Sequence, residues 1–203
     1  LMERELKNFT PDFVARKSVA CFGNRIICLG SGISNSNVNY PTETTLFQCA
    51  LPAKYQPAVL EDSCTLRDPF GNYFYIQKGK PHQTEGLQHS FHNKSRKATE
   101  GKFLTAWIDH GKAPQNAEYE YLILLRPTEK ERKEARQSYI IKQQDCQAHI
   151  VFDKLTQVTA CSFFESYQNA KADLIQQADA ETLVMYKKNE SDIQLSICSP
   201  NLN

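Results

Sequence analysis

The chain alternates short apolar runs with turn residues. The first clear unit, KSVACFGNRIICLGSGI (residues 17–33), sets two apolar runs around Gly23-Asn24. That pair supplies the positive φ a two-residue hairpin turn needs. The register it imposes puts Cys21 opposite Ile26 and Val19 opposite Cys28, with Ala20, Phe22, Ile27 and Leu29 on the other face. Apolar residues on both faces predict a strand pair sandwiched between layers.

Further strand-like segments follow at short intervals: ETTLFQCAL, GNYFYIQK, KFLTAWID, YEYLILL, AHIVFDKL, TACSFFES, ETLVMYKK and DIQLSICS. Most are bounded by Gly, Pro, Asn or Asp, which favour turns. One helix is predicted in PTEKERKEARQSYII, where Thr128 and Glu131 have capping-box spacing and Glu129 to Lys133 is a favourable i,i+4 pair. Its charged first half should lie on the surface, with Tyr139 and Ile140 packing inward. Residues 169–181, NAKADLIQQADAE, read as helix or loop. The predicted fold class is all-β, an antiparallel β-sandwich with one or two short surface helices.

Composition changes this picture little. The 203 residues are 40% hydrophobic and 23% charged, values ordinary for a soluble globular chain. A net charge of +1 argues against nucleic acid as a partner. No apolar run approaches the roughly 20 residues of a membrane helix, so no membrane is expected either. The start, LMERELKNF, lacks the apolar stretch of a signal peptide, which suggests a removed signal or an internal piece. The seven cysteines are an odd number without a C-x-x-C, and are read as core thiols rather than as a disulfide framework.

Asp109-His110-Gly111 is the first candidate for chemistry. Adjacent strand residues point to opposite faces, so the Asp is badly placed to orient the His, and the segment reads as a strand end. His89-x-x-His92, with His82 nearby, lacks the Cys or acid to complete a metal site, and no metal or cofactor is expected. Residues 78–102 hold six basic residues against two acidic, a net +4, and read as a solvated loop able to meet a polyanion. Lys94, Arg96 and Lys97 are its candidate substrate-binding residues. No nucleophile elbow, Walker loop or dinucleotide fingerprint is present. Trp107, Tyr73 and Tyr75 sit within apolar strand patterns and are read as core, with sugar stacking the alternative.

Three stretches together carry a resemblance: FGNRIICLGSGISNSNVNYPTETTLFQ, TEGKFLTAWIDHGKAPQNAEYEYLILLRPT and HIVFDKLTQVTACSFFE. In this order they resemble blocks in the β-domains of chondroitin ABC lyases, members of polysaccharide lyase family 8. The similarity spans Phe22 to Asn203. It implies a supersandwich similar to galactose mutarotase, and a parent enzyme that also holds a helical toroid and a C-terminal β-domain, both absent from residues 1–203. It further implies cleavage of glycosaminoglycans (chondroitin and dermatan sulfate, with hyaluronan a candidate) by β-elimination at uronic acid, in a secreted or periplasmic setting. The family's catalytic His, Tyr, Arg and Asn come mainly from the toroid, and no catalytic residue is carried over to this chain. The expectation is a cleft-forming wall, inactive alone, partnered by an acidic polysaccharide and by the rest of the enzyme. Exposed sheet edges make a homodimer a further expectation. The alternative is a stand-alone carbohydrate-binding β-sandwich module.

Overall fold

A computed structural model describes residues 10–56, 60, 62–168 and 174–200. The first hairpin forms as its turn dictates. Strands β1 (Val14–Phe22) and β2 (Arg25–Ser34) pair with Val19 opposite Cys28 and Cys21 opposite Ile26, and Gly23 has φ +62°. Strand β8 (Ala117–Leu124) pairs with β2, and β5 (Tyr73–Lys78) and β4 (Thr65–Arg67) follow, giving a five-stranded middle sheet in the order β1-β2-β8-β5-β4.

In front of it lies a three-stranded sheet, β3 (Pro41–Ala50), β7 (Ala98–Lys112) and β6 (Lys80–Phe91). Behind it lies a five-stranded sheet formed by β15 (Ile193–Cys198), β14 (Thr182–Lys188), β11 (Val158–Phe163), β10 (Ala148–Asp153) and β9 (Tyr139–Gln144). A ribbon of β12 (Tyr167–Gln168) and β13 (Gln177–Ala178) covers part of that back sheet. The strand pairings are antiparallel, and the all-β layered sandwich is the architecture expected from the strand pattern.

Both faces of the middle sheet are buried, because its strands carry apolar residues at odd and even positions. Cys28, Ile33, Tyr119 and Tyr121 pack forward with Phe47, Leu104 and Ile108. Ile27, Leu29, Leu122 and Leu124 pack backward with Tyr139, Val151 and Ala160. Each such aliphatic side chain contributes about 1.5–3 kcal/mol through burial. The two-sided expectation holds for β2 but not for β1. The front sheet has three strands and does not reach this edge, so Val19 stays 65% exposed and Cys21 is exposed.

The predicted helix is shorter than its charge pattern suggests. α1 spans Glu129–Glu134, with the capping box of Thr128 and Glu131 and the Glu129–Lys133 ion pair both formed. A 3-10 turn at Ala135–Gln137 follows, and then β9 begins. Cross-strand bonding to β10 takes these residues out of the helix: Tyr139 is buried against the middle sheet, while Ile140 points outward and is 45% exposed. Of the helix-or-loop segment, residues 169–173 lie outside the described residues, and the remainder contributes β13.

Candidate functional site

Residues 78–102 are not a loop. They form β6 and the first part of β7, a hairpin whose outer half extends beyond β3 as a two-stranded ribbon. The alternation of polar residues along HQTEGLQHSFH is that of a two-sided exposed strand, which reads as loop because neither face needs apolar residues. The tip is closed by His92 N donating to Lys97 O and Arg96 N donating to His92 O, both 2.8 Å, with Arg96 at φ +55°. Lys94, Arg96 and Lys97 are therefore brought together on one turn, all exposed. Among the described residues none of the three is paired with a carboxylate. Two cations nearer the ribbon's base are engaged, Lys78 donating to Glu118 at 3.0 Å and Lys102 pairing with Glu85, while Lys80 stands exposed opposite Asp109.

Asp109 and His110 separate to opposite faces of β7. His110 turns inward, with its Nε2 2.9 Å from the Thr44 hydroxyl, and burial lowers its pKa, helped by the charge of Lys17. Asp109 turns outward and accepts from Gly111 N at 2.8 Å. Its other oxygen lies 4.0 Å from His82 Nε2 on the neighbouring strand. The sequence neighbours do not form an acid–base pair. His89 lies 3.5 Å from Glu100, and no group of three His, Cys, Asp or Glu converges among the described residues.

Sequence reasoning missed two buried polar clusters, because their members are more than a hundred positions apart. Arg25 grips Asp153 with two hydrogen bonds of 3.0 and 2.8 Å, and Asp153 also accepts from the Thr156 amide and hydroxyl. Ser18, Ser31 and His149 form the second cluster. The Ser31 hydroxyl donates to Asp145 O at 2.7 Å, so it accepts from His149 Nε2–H at 2.8 Å. His149 Nδ1 then accepts the Ser18 hydroxyl at 2.7 Å. Burial pushes the His149 pKa down to about 4. This imidazole is 1% exposed and joins the middle sheet to the back sheet, beyond reach of a polymer.

The aromatic candidates divide. Tyr75 is core, and Tyr73 is half-buried under Arg67 and Arg132. Trp107 is not core. It lies half-buried on the outer face of the front sheet, stacked on His82 with centroids 5.6 Å apart. A groove of about 510 Å³ opens on the back sheet between Lys142, Phe152, Gln157, Thr159, Tyr186 and Lys188, and offers no imidazole or carboxylate.

Residues 4–136 match the family model described as polysaccharide lyase family 8, super-sandwich domain. The chain belongs to polysaccharide lyase family 8. It is 38% identical over 205 residues to the chondroitin sulfate ABC exolyase of Proteus vulgaris, covering 93% of this chain and 20% of the relative. With the chondroitin sulfate ABC endolyase of the same organism it shares 33% identity over 221 residues, 98% of this chain and 21% of that one. The chain thus spans about a fifth of the length of these relatives. Its fold superposes on the Streptomyces coelicolor A3 chondroitin AC lyase with a TM-score of 0.76 at 18% identity, over 92% of this chain and 26% of the other. The Paenibacillus xanthan lyase gives 0.75 at 21% identity, over 91% and 21%.

As a segment of this family the chain carries layered strands and buried polar ties. All seven cysteines are free thiols. Cys28 and Cys161 are core thiols as expected, and burial pushes Cys28 up to about 11. Cys21 and Cys198 lie on edge strands and Cys146 in the turn between β9 and β10, and all three are exposed.

Proposed function

We propose that the chain is the central sandwich portion of a longer lyase that cleaves chondroitin or dermatan sulfate, with hyaluronan a further candidate, by β-elimination at uronic acid. In that reaction the C5–H bond breaks, the C4=C5 double bond forms, and the C4–O4 bond breaks as O4 takes a proton. The observation that carries the reading is the family match across most of the chain. The chain's own part is structural. His110 and His149 are held inward by hydrogen bonds, and the exposed His92 closes its own turn, with Nδ1 accepting the Ser95 amide at 3.2 Å and lying 3.1 Å from the Ser95 hydroxyl. The chain supplies a rigid wall beside the polysaccharide cleft, and proton transfer is left to residues elsewhere in the longer enzyme.

Lys94, Arg96 and Lys97 are the proposed contacts for the polymer's carboxylates and sulfates. As exposed charges they should act with a strong dependence on ionic strength. A secreted or periplasmic location follows from the size of a polysaccharide, which has to be met outside the cytoplasm. The exposed β15 edge supports self-association of this chain as a homodimer.

The purified 203-residue chain should release no unsaturated uronate from chondroitin sulfate, measured by ultraviolet absorbance, whereas the longer natural protein should. Activity in the short chain, or none in the long one, overturns the assignment. Cell fractionation tests the location, and recovery of the protein in the cytosol would contradict it. Sedimentation at high concentration tests the dimer, and a monomer there rejects it.

A further inference from the structure

The outer face of the front sheet is lined at every second position of three strands. β7 contributes Gly101, Phe103, Thr105, Trp107 and Asp109, and their partners are Gln48 and Ala50 on β3 and His82, Thr84 and Gly86 on β6. None of these side chains belongs to a core cluster. Trp107 and Phe103 are four residues apart on one strand, about 13 Å.

Each ring is held ready. The His82 ring lies nearly parallel to the indole, with 14° between the planes. Phe103 leans back over Gly101, where an added Cβ would stand 3.0 Å from its Cε2. Its cross-strand neighbours are Ala50 and Gly86, and a Cβ at Gly86 would meet nothing within 4 Å. Gly86 has no positive φ to require a glycine, so its effect is an open notch beside the ring. Near the two rings runs an amide relay. Gln48 Nε2 donates to Gln88 Oε1 at 2.5 Å, and Gln88 Nε2 donates to Thr105 Oγ1 at 3.1 Å. One hydrogen on each amide nitrogen and the Gln48 Oε1 remain for a ligand's hydroxyls.

We propose that this face is a binding track for an acidic hexopyranose chain, with Trp107 and Phe103 under two sugar rings and the polymer running toward Lys94, Arg96 and Lys97. The proposal rests on the reading of the substrate as a glycosaminoglycan. Pyranose rings have apolar faces that stack on aromatics and a rim of hydroxyls that bind amides. A protein partner would call for an apolar centre, which this face lacks and the β14–β15 surface has. The direction comes from charge. Glu43 and Asp109 outnumber the single cation Lys80 at one end of the track, while Lys94, Arg96 and Lys97 gather unpaired at the other.

Trp107 is the single tryptophan of the chain, so its emission reports on this face alone. The 203-residue chain is titrated with size-defined chondroitin sulfate oligosaccharides, following Trp107 emission and calorimetric affinity together. Binding should shift the emission. Trp107→Ala and Gln88→Ala should each weaken binding by tenfold or more with an unchanged circular dichroism spectrum. Gly86→Val suits an open strand position and should fold normally, yet weaken binding by filling the notch. Binding with an unmoved emission, and equal affinity in Trp107→Ala and Gly86→Val, would overturn the track and leave the lyase reading standing. No binding at all would also overturn it, since every group invoked is in this chain. An emission that shifts with protein concentration instead would assign the face to a second copy and reject the glycan.

Discussion

β2 and β15 are both rich in isoleucine and leucine, and their surroundings are opposite. β2 is covered on both faces, with Ile27 and Leu29 wholly buried. β15 is exposed at all six positions, with Ile197 at 63%. The middle sheet has a sheet before it and another behind it. β14 and β15 extend past the middle sheet, which leaves Leu183 and Met185 partly exposed on that side, while Ile193, Leu195 and Ile197 are exposed on the other. Apolar character makes a strand, but coverage by neighbouring layers decides whether it stabilises the fold.

The largest test of this contrast lies where the middle and back sheets are tied by charge. Asp153→Ala leaves Arg25 buried without its carboxylate and should lower stability by about 3–5 kcal/mol in urea unfolding. A loss below about 1 kcal/mol would mean that the interface relaxes or admits water.

The His149 cluster ties the same two sheets and should respond to acid. Its folded pKa of about 4 lies below the ordinary imidazole value. Its stabilising contribution is complete above about pH 6.5 and is lost as pH falls through 4, on the order of 3 kcal/mol in all. The burial-lowered His110 acts in the same direction. Unfolding free energies across this window should fall with acid, and His149→Gln should flatten much of the slope. Equal slopes in the two proteins would remove His149 from the account.

Gly30→Ala probes β2 itself. A Cβ there would stand 2.2 Å from the Tyr119 ring on the paired strand, and displacing that ring should cost about 1–3 kcal/mol. In β15, by contrast, Leu195→Lys should change stability by less than about 0.5 kcal/mol while reducing self-association in sedimentation. If Leu195→Lys destabilised as much as Gly30→Ala, the two strands would not differ as described.

Much of the strand set was legible beforehand. The Gly23-Asn24 turn dictated its register, and the capping box marked the start of α1, because both are local bonding patterns a few residues long. β6 escaped notice since its polar sequence has no buried face to mark it. β9 was hidden inside a helix-like stretch, where pairing with β10 outweighed propensity. Of the candidate site, Lys94, Arg96 and Lys97 were visible as charge, but their gathering on a hairpin tip was not. Trp107 was read as core from its flanking apolar residues, Ala106 and Ile108, which face the other way.

What the residues alone determined is therefore the alternation, the turns and the kinship to a lyase family, each encoded over short spans or long matching blocks. Only the tertiary structure decided which faces are covered, which charges are paired, and that Ser18, Ser31 and His149 meet. Those outcomes depend on how many strands each layer holds and where each layer ends. Such limits are set by strand pairings between residues tens of positions apart, up to Arg25 with Leu124, and no local pattern records them.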